Sequence, residues 1–125
     1  MKIIIAGSGT VGSTLAKQLS AEGHDLTLVD KNAPVLRRLV DEFDVMTAEG
    51  NCASMETLKN AGVQEAKLLI ATTDSDELNM LCCLLAKKLG TKRAISRVRN
   101  PEYFKQIDLI REEMGLSMVI NPEFT

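Results

Sequence analysis

The chain has 125 residues, of which 45% are hydrophobic and 26% charged, and its net charge is −2. That length suits one domain around a single core, spanning 1–125, and that composition is ordinary for a soluble globular protein. The charge balance offers nucleic acid or an anionic membrane surface no electrostatic attraction.

Chain order begins with a short apolar run, Ile3-Ile4-Ile5-Ala6, too brief for a signal peptide or a membrane span, so a cytoplasmic chain is expected. The run stops at Gly7-Ser8-Gly9-Thr10-Val11-Gly12, an amphipathic segment follows, and a second apolar run, Leu26 to Val29, ends on Asp30. Strand, glycine-rich turn, helix, strand and acid in this order describe a dinucleotide-binding unit. Gly7 allows the sharp turn, Gly9 carries no side chain to hold a pyrophosphate away, and Gly12 lets the helix lie close on the sheet. The helix N-terminus offers N–H groups and a partial positive charge to phosphates. Asp30, eighteen residues after Gly12, stands where a carboxylate accepts bonds from ribose hydroxyls. It would repel a 2′-phosphate, which favours NAD(H) over NADP(H), and Lys31 beside it softens that preference.

Asn32-Ala33-Pro34 opens a helix to about Phe43, with Val35, Leu36, Leu39 and Val40 expected inside. A third strand is expected over 44–48, ending in the turn Glu49-Gly50-Asn51-Cys52 beside the place of an adenine edge. Ser54 caps a short helix that Gly62 stops, and the continuous apolar run within 67–72 predicts a parallel strand covered on both faces. After Thr73-Asp74-Ser75-Asp76 a long helix runs to Leu89, with Gly90 as its stop. Its middle turns are apolar nearly all round, so either a second subunit covers its outer side or it is an unusually deep core helix. A fifth strand, 93–98, carries Arg97 at its end, where a buried charge needs an anion, either nucleotide phosphates or an internal salt bridge. Asn100-Pro101 caps a helix expected to reach Met114 and stop at Gly115, and a sixth strand spans 117–120. Asn121-Pro122 reads as the start of one more helix, so the chain is expected to be a fragment of a longer one. The alternation predicts an α/β, Rossmann-like, doubly wound parallel sheet of six strands in order 3-2-1-4-5-6.

Cys52, Cys82 and Cys83 are odd in number and lack metal or disulfide spacing, so small buried side chains are expected in preference to a redox role. An enzyme needs a proton-transfer group beside a nicotinamide. The only histidine, His24, falls at the amino end of the sheet, and Tyr103 is followed four residues later by Ile107 in place of a lysine. A dehydrogenase fragment is therefore the weaker alternative, and a redox-responsive transcription regulator lacks a basic recognition element. No catalytic residue and no metal site is expected. Asp74 and Asp76 are either helix-dipole acids or sensors of the positive nicotinamide ring of NAD.

The motifs IIIAGSGTVGSTLAKQLSAEGHDLTLVD, EGNCASMETLKNAG, LLIATTDSDELNMLCCLLAKKLG, ISRVRNPEY and VINPE, in this order over essentially the whole chain, carry a resemblance. The sequence resembles the RCK or KTN regulatory domain of potassium channels and transporters, most of all the N-terminal half of the cytoplasmic subunit of Trk-type potassium uptake systems. The resemblance implies a ligand-sensing module in place of a catalyst, a nucleotide ligand (NAD or NADH, in some members ATP or ADP), and paired domains that form rings beneath a membrane pore. It implies a potassium-transporting membrane protein as partner, a homo-oligomer, no nucleic acid, and a location peripheral to the inner face of the plasma membrane. Carried over by position, Gly7, Ser8, Gly9, Thr10, Val11 and Gly12 match the phosphate loop, Asp30 with Lys31 the ribose acid, and Asn51-Cys52 the adenine turn. Thr73 and Asp74 match the loop near the second ribose, and Arg97 an arginine able to approach the phosphates. Where many relatives have Gly-Asp after the third strand this chain has Gly50-Asn51, one negative charge fewer beside the adenine.

Overall fold

The computed structural model describes residues 1–113 and the strand Met118–Ile120. Strands β1 (Lys2–Ala6), β2 (Asp25–Asp30), β3 (Met46–Glu49), β4 (Leu68–Ala71), β5 (Arg93–Arg97) and β6 (Met118–Ile120) form one sheet in the order β3-β2-β1-β4-β5-β6. Every pairing is parallel. Helices α1 (Thr10–Ala21), α2 (Ala33–Glu42), α3 (Met55–Ala61), α4 (Asp76–Leu89) and α5 (Pro101–Ile110) alternate with the strands. A 3-10 turn, Val63–Glu65, was not legible as an element and fills the step between α3 and β4.

The sheet's two faces bury two separate clusters, and strand alternation assigns each residue to one of them. Ile3 and Ile5 of β1, Leu26 and Leu28 of β2 and Ile70 of β4 pack with Ala16 of α1 and Leu36 and Leu39 of α2. Ile4, Ala6, Leu69, Ala71 and Ala94 pack on the opposite face with Leu58 of α3 and Met80, Cys82, Cys83 and Ala86 of α4. Both faces of β1 and β4 are thus covered, as parallel strands require. The sheet order reverses between β1 and β4, and this switch point opens a crevice at the carboxyl ends of those strands.

Capping follows the side chains expected to supply it. Asn32, Ser54, Ser75 and Asn100 each accept a backbone N–H of the helix that follows, and Gly62, at φ +85°, closes α3 in the left-handed region. Three details differ from the expectations, and a fourth decides between two alternatives. β3 is shifted to Met46–Glu49, an edge strand whose pattern of mostly exposed side chains gave the boundary little signal. Val40 is 45% exposed, because only Leu36 and Leu39 of α2 reach the sheet fully. α5 ends at Ile110, four residues short of Met114. Of the two readings of α4 the deep core helix fails: Leu81 is 44% exposed, while Leu78, Leu84, Leu85 and Leu89 are half-buried, so the single chain leaves the outer side of the helix open. Gly115 as a helix stop, Ser117, and the helix expected from Asn121-Pro122 lie outside the described residues.

Candidate functional site

The glycine turn sits where β1 ends. Gly7 has φ +98°, and a Cβ there would come within 2.9 Å of the Thr73 backbone nitrogen, so this position requires glycine both for conformation and for closeness. A Cβ on Gly12 would stand 2.0 Å from the Gly7 carbonyl oxygen and 3.1 Å from the Thr72 Oγ1. The closeness expected of Gly12 therefore serves the turn first and the sheet second. At Gly9 a Cβ would meet nothing within 4 Å. Gly9 is the N-cap of α1 and brings no side-chain acceptor, and the first turn holds no acidic residue. The first turn thus opens from a cap with free space beside it and with the positive end of the helix dipole behind it, a seat for an anion.

Asp30 stands across from this turn at the end of β2. Its Oδ2 accepts the Ser8 backbone N–H at 2.9 Å and the Ser8 hydroxyl at 2.6 Å, and its Oδ1 accepts the Asn32 N–H at 2.8 Å. Burial pushes the Asp30 carboxyl up, but the Ser8 hydroxyl, the Asn32 and Ser8 N–H groups and the Lys31 charge together outweigh it and hold it below 3.8. Ser8 itself is 2% exposed, so it serves the site through Asp30. A carboxylate has about four acceptor positions, which leaves one for a ribose hydroxyl while Ser8 keeps its bonds. Lys31 is exposed beside it, as are Thr10 and Asn51, and Val11 is half-buried. The Asn51 Oδ1 accepts the Ala53 N–H at 2.9 Å, shaping the turn after β3. Cys52 points the other way. Its side chain is buried with Leu58, Cys82 and Cys83, so only its backbone is left to the adenine side.

On the far side of the crevice, Arg97 ends β5 and is only 8% exposed. Its buried Nε has no hydrogen-bond partner. The salt-bridge reading of Arg97 fails among the described residues, where no carboxylate comes within 4 Å of its guanidinium. Register pairs Ala71 with Ser96, which puts Arg97 beside Thr72. Alternation then directs Arg97 to the same face as Thr72, the face that carries α1 and its glycine turn. A desolvated guanidinium nitrogen without an acceptor is costly, and a phosphate oxygen would satisfy it.

Thr73 is held by a residue that the sequence reading passed over. Asn79, fully buried on α4, accepts the Thr73 N–H and hydroxyl at 2.8 and 2.6 Å and donates to the carbonyls of Thr73 and Arg97 at 3.1 and 3.0 Å. An asparagine on the inner side of an apolar helix was the available signal, since a buried amide needs partners. Asp74 is exposed. Asp76 is not free to sense a nicotinamide: its two oxygens accept the N–H groups of Arg99 and Asn100 at 2.9 and 2.7 Å, which ties α4 to the start of α5. A cleft of about 630 Å³ lies alongside, lined by Asp74, Asp76, Glu77, Arg99 and Tyr103 among others. The Tyr103 hydroxyl donates to Glu77.

Comparison with known proteins places this geometry. The TrkA-N domain family model matches residues 3–122. The chain is 40% identical over 126 residues to the Trk system potassium uptake protein TrkA of Haemophilus influenzae, covering 98% of this chain and 28% of that protein. The chain therefore spans little more than a quarter of that relative's length. Among solved structures, the TrkA-N domain of the Escherichia coli inner membrane protein ybaL superposes with a TM-score of 0.86 at 23% identity, over 98% of this chain and 88% of that one. The GsuK channel bound to NAD superposes with a TM-score of 0.80 at 24% identity, over 95% of this chain and 21% of that one. Those two likenesses establish the fold. With the family model spanning nearly the whole sequence, this chain belongs to the TrkA-N domain family.

Proposed function

We propose that the chain is the nucleotide-sensing domain of a regulatory subunit that controls potassium uptake through a membrane transporter or channel. The observation that carries the reading is the buried Arg97 Nε without a partner, set on the same face as an open glycine cradle. An adenine dinucleotide fits this donor set. Its pyrophosphate would lie over Gly9 and the first turn of α1, within reach of Arg97. Its adenosine ribose would meet Asp30, and the adenine the Asn51-Cys52 turn. The second ribose would approach Thr73 and Asp74. NAD or NADH is favoured over a 2′-phosphorylated ligand because Asp30 stays ionised, and ATP or ADP would use the same cradle. The likeness to an NAD-bound channel and to a potassium uptake protein supports both halves of the reading.

Regulation follows from two arrangements of paired domains with different affinities for NADH and NAD. The outer side of α4, where Leu81 is 44% exposed, and Leu109 and Ile110 of α5, 77% and 37% exposed, supply an apolar surface for a homo-oligomer. No helix among the described residues is long and apolar enough to cross a membrane. In this reading a potassium-transporting partner supplies the pore, and the chain works at the inner face of the plasma membrane. The domain spans 1–125 and belongs to a longer subunit, since the chain covers only 28% of the Haemophilus influenzae relative.

A dehydrogenase fragment finds no support in the site. His24 pairs with Glu22 before β2, at the amino end of the sheet, and Tyr103 is engaged with Glu77. Titration calorimetry with NAD, NADH, ATP and ADP tests the reading: saturable binding with a preference between NAD and NADH is expected. Absence of binding to all four, or steady NADH oxidation, overturns it.

A further inference from the structure

We infer that Asn79 is the positioning residue that fits the crevice to a complete dinucleotide instead of its adenosine half, an inference that rests on the nucleotide reading above. The side-chain amide can make four hydrogen bonds and makes four, all to the two residues that frame the far half of the crevice. The Asn79 Oδ1 accepts both the backbone and the hydroxyl of Thr73, at 2.8 and 2.6 Å. Its Nδ2 donates to the Thr73 carbonyl at 3.1 Å and to the Arg97 carbonyl at 3.0 Å. One side chain therefore clamps the end of β4 to the end of β5.

Each of those bonds fixes an atom the ligand depends on. Thr73 abuts the glycine turn, since a Cβ on Gly7 would reach its nitrogen at 2.9 Å and its Cγ2 at 3.1 Å. The backbone bond to Arg97 sets where the strand ends and hence where the guanidinium, whose Nε is left without a partner, is presented. Asn79 is itself anchored, because it is fully buried on α4 and its N–H donates to the Ser75 carbonyl at 3.0 Å. A satisfied buried network of this kind specifies one arrangement, and a broken one leaves its members unpaired. The near half of the crevice has separate supports. Asp30 is held by Ser8 and Asn32, and the Asn51 turn by its own side chain.

The two halves therefore respond differently to loss of the amide. AMP has its adenine, ribose and single phosphate over β1, β2 and a glycine turn that the Thr72 hydroxyl, on the Gly7 carbonyl, and the Val29 carbonyl, on the Gly7 N–H, hold without Asn79, so it bypasses the clamp. NADH, which continues across β4 and β5, depends on it.

Calorimetry on the 125-residue chain with NADH and with AMP, comparing wild type with Asn79→Ala and Asn79→Asp, tests this. NADH affinity is expected to fall about tenfold or more, the equivalent of one or two hydrogen bonds, while AMP affinity stays within about twofold. A general loss of fold would weaken both ligands equally, so an equal fall overturns the inference, as does an unchanged NADH affinity. Wild-type chain that binds neither ligand overturns the nucleotide reading itself, and this inference with it. Should neither variant fold, NMR on the wild-type chain decides: the Asn79 side-chain amide signals are expected to move with NADH and stay in place with AMP. Signals indifferent to NADH, or moved alike by both, refute the inference.

Discussion

Replacing Arg97 by methionine should do two opposite things at once. Arg97 as a whole is only 8% exposed, and its buried Nε lacks a partner, so the free chain carries a desolvation penalty that methionine removes while keeping the apolar stem. A buried polar group left unpaired costs about 1–3 kcal/mol, so the ligand-free variant should gain at least about 1 kcal/mol. In a chain this size that raises the melting temperature by about 3–6 °C. Loss of a charge-assisted bond to phosphate, worth about 1.5–3 kcal/mol, should weaken NADH binding by about tenfold to a hundredfold. Stabilisation by ligand grows with the ratio of free ligand to Kd, so the order of stabilities should reverse when NADH is added in excess. Urea unfolding of both proteins, with and without NADH, reads all of this. A destabilised ligand-free variant, or one with unchanged NADH affinity, would refute the assignment of Arg97 to the phosphates.

Gly12→Ala would drive a Cβ into the Gly7 carbonyl oxygen, 2.0 Å away, and is expected to cost about 1–3 kcal/mol in thermal unfolding and to reduce NADH binding well beyond tenfold. Asp30 is held below its ordinary value, so its contribution to stability is present above 3.8 and lost as pH falls through its lowered folded value. Ser8→Ala removes the strongest of the interactions that lower it, and a series of unfolding curves from pH 6 to about 3 should show the loss beginning at higher pH than in wild type. Leu81→Glu, on the exposed side of α4, should shift the chain to monomer in sedimentation equilibrium at micromolar concentration, and wild type that is already monomeric contradicts the proposed assembly surface. Among the thiols, Cys82 holds Cys52 below its ordinary value and is itself pushed well above, while burial raises Cys83 to about 12. Limiting maleimide at mildly alkaline pH should therefore label Cys52 before the other two, as read by peptide mass.

Much of this fold was legible because its punctuation is chemical. Asn32, Ser54, Ser75 and Asn100 cap helices where such side chains compete for the first N–H groups, and Gly62 and Gly90 close them at positive φ. Continuous apolar runs in β1 and β4 announced strands buried on both faces, and from them the parallel order followed. The edge was harder to read: β3 has only one residue shielded from solvent in part, so no pattern marked its limits. Helix α4 looked apolar all round because hydropathy does not distinguish Cys82 and Cys83, which face the sheet, from Leu81, which does not. At the site, the place of the glycines at the end of β1, of Asp30 at the end of β2 and of Arg97 at the end of β5 was readable from residue type and position. The pairing of Asp76 with Arg99 and Asn100, and of Asn79 with Arg97, joins positions far apart in sequence, and only the crossing of α4 over β5 brings them together.

The central claim is that the mouth of the first crossover grips a diphosphate. A crystal of the chain grown with NADH tests it most directly. The pyrophosphate is expected over Gly9, hydrogen-bonded to the first-turn N–H groups of α1, with the Arg97 guanidinium turned onto its oxygens and a ribose hydroxyl on Asp30. A dinucleotide seated elsewhere, or a mouth left to solvent at saturating NADH, would contradict the account.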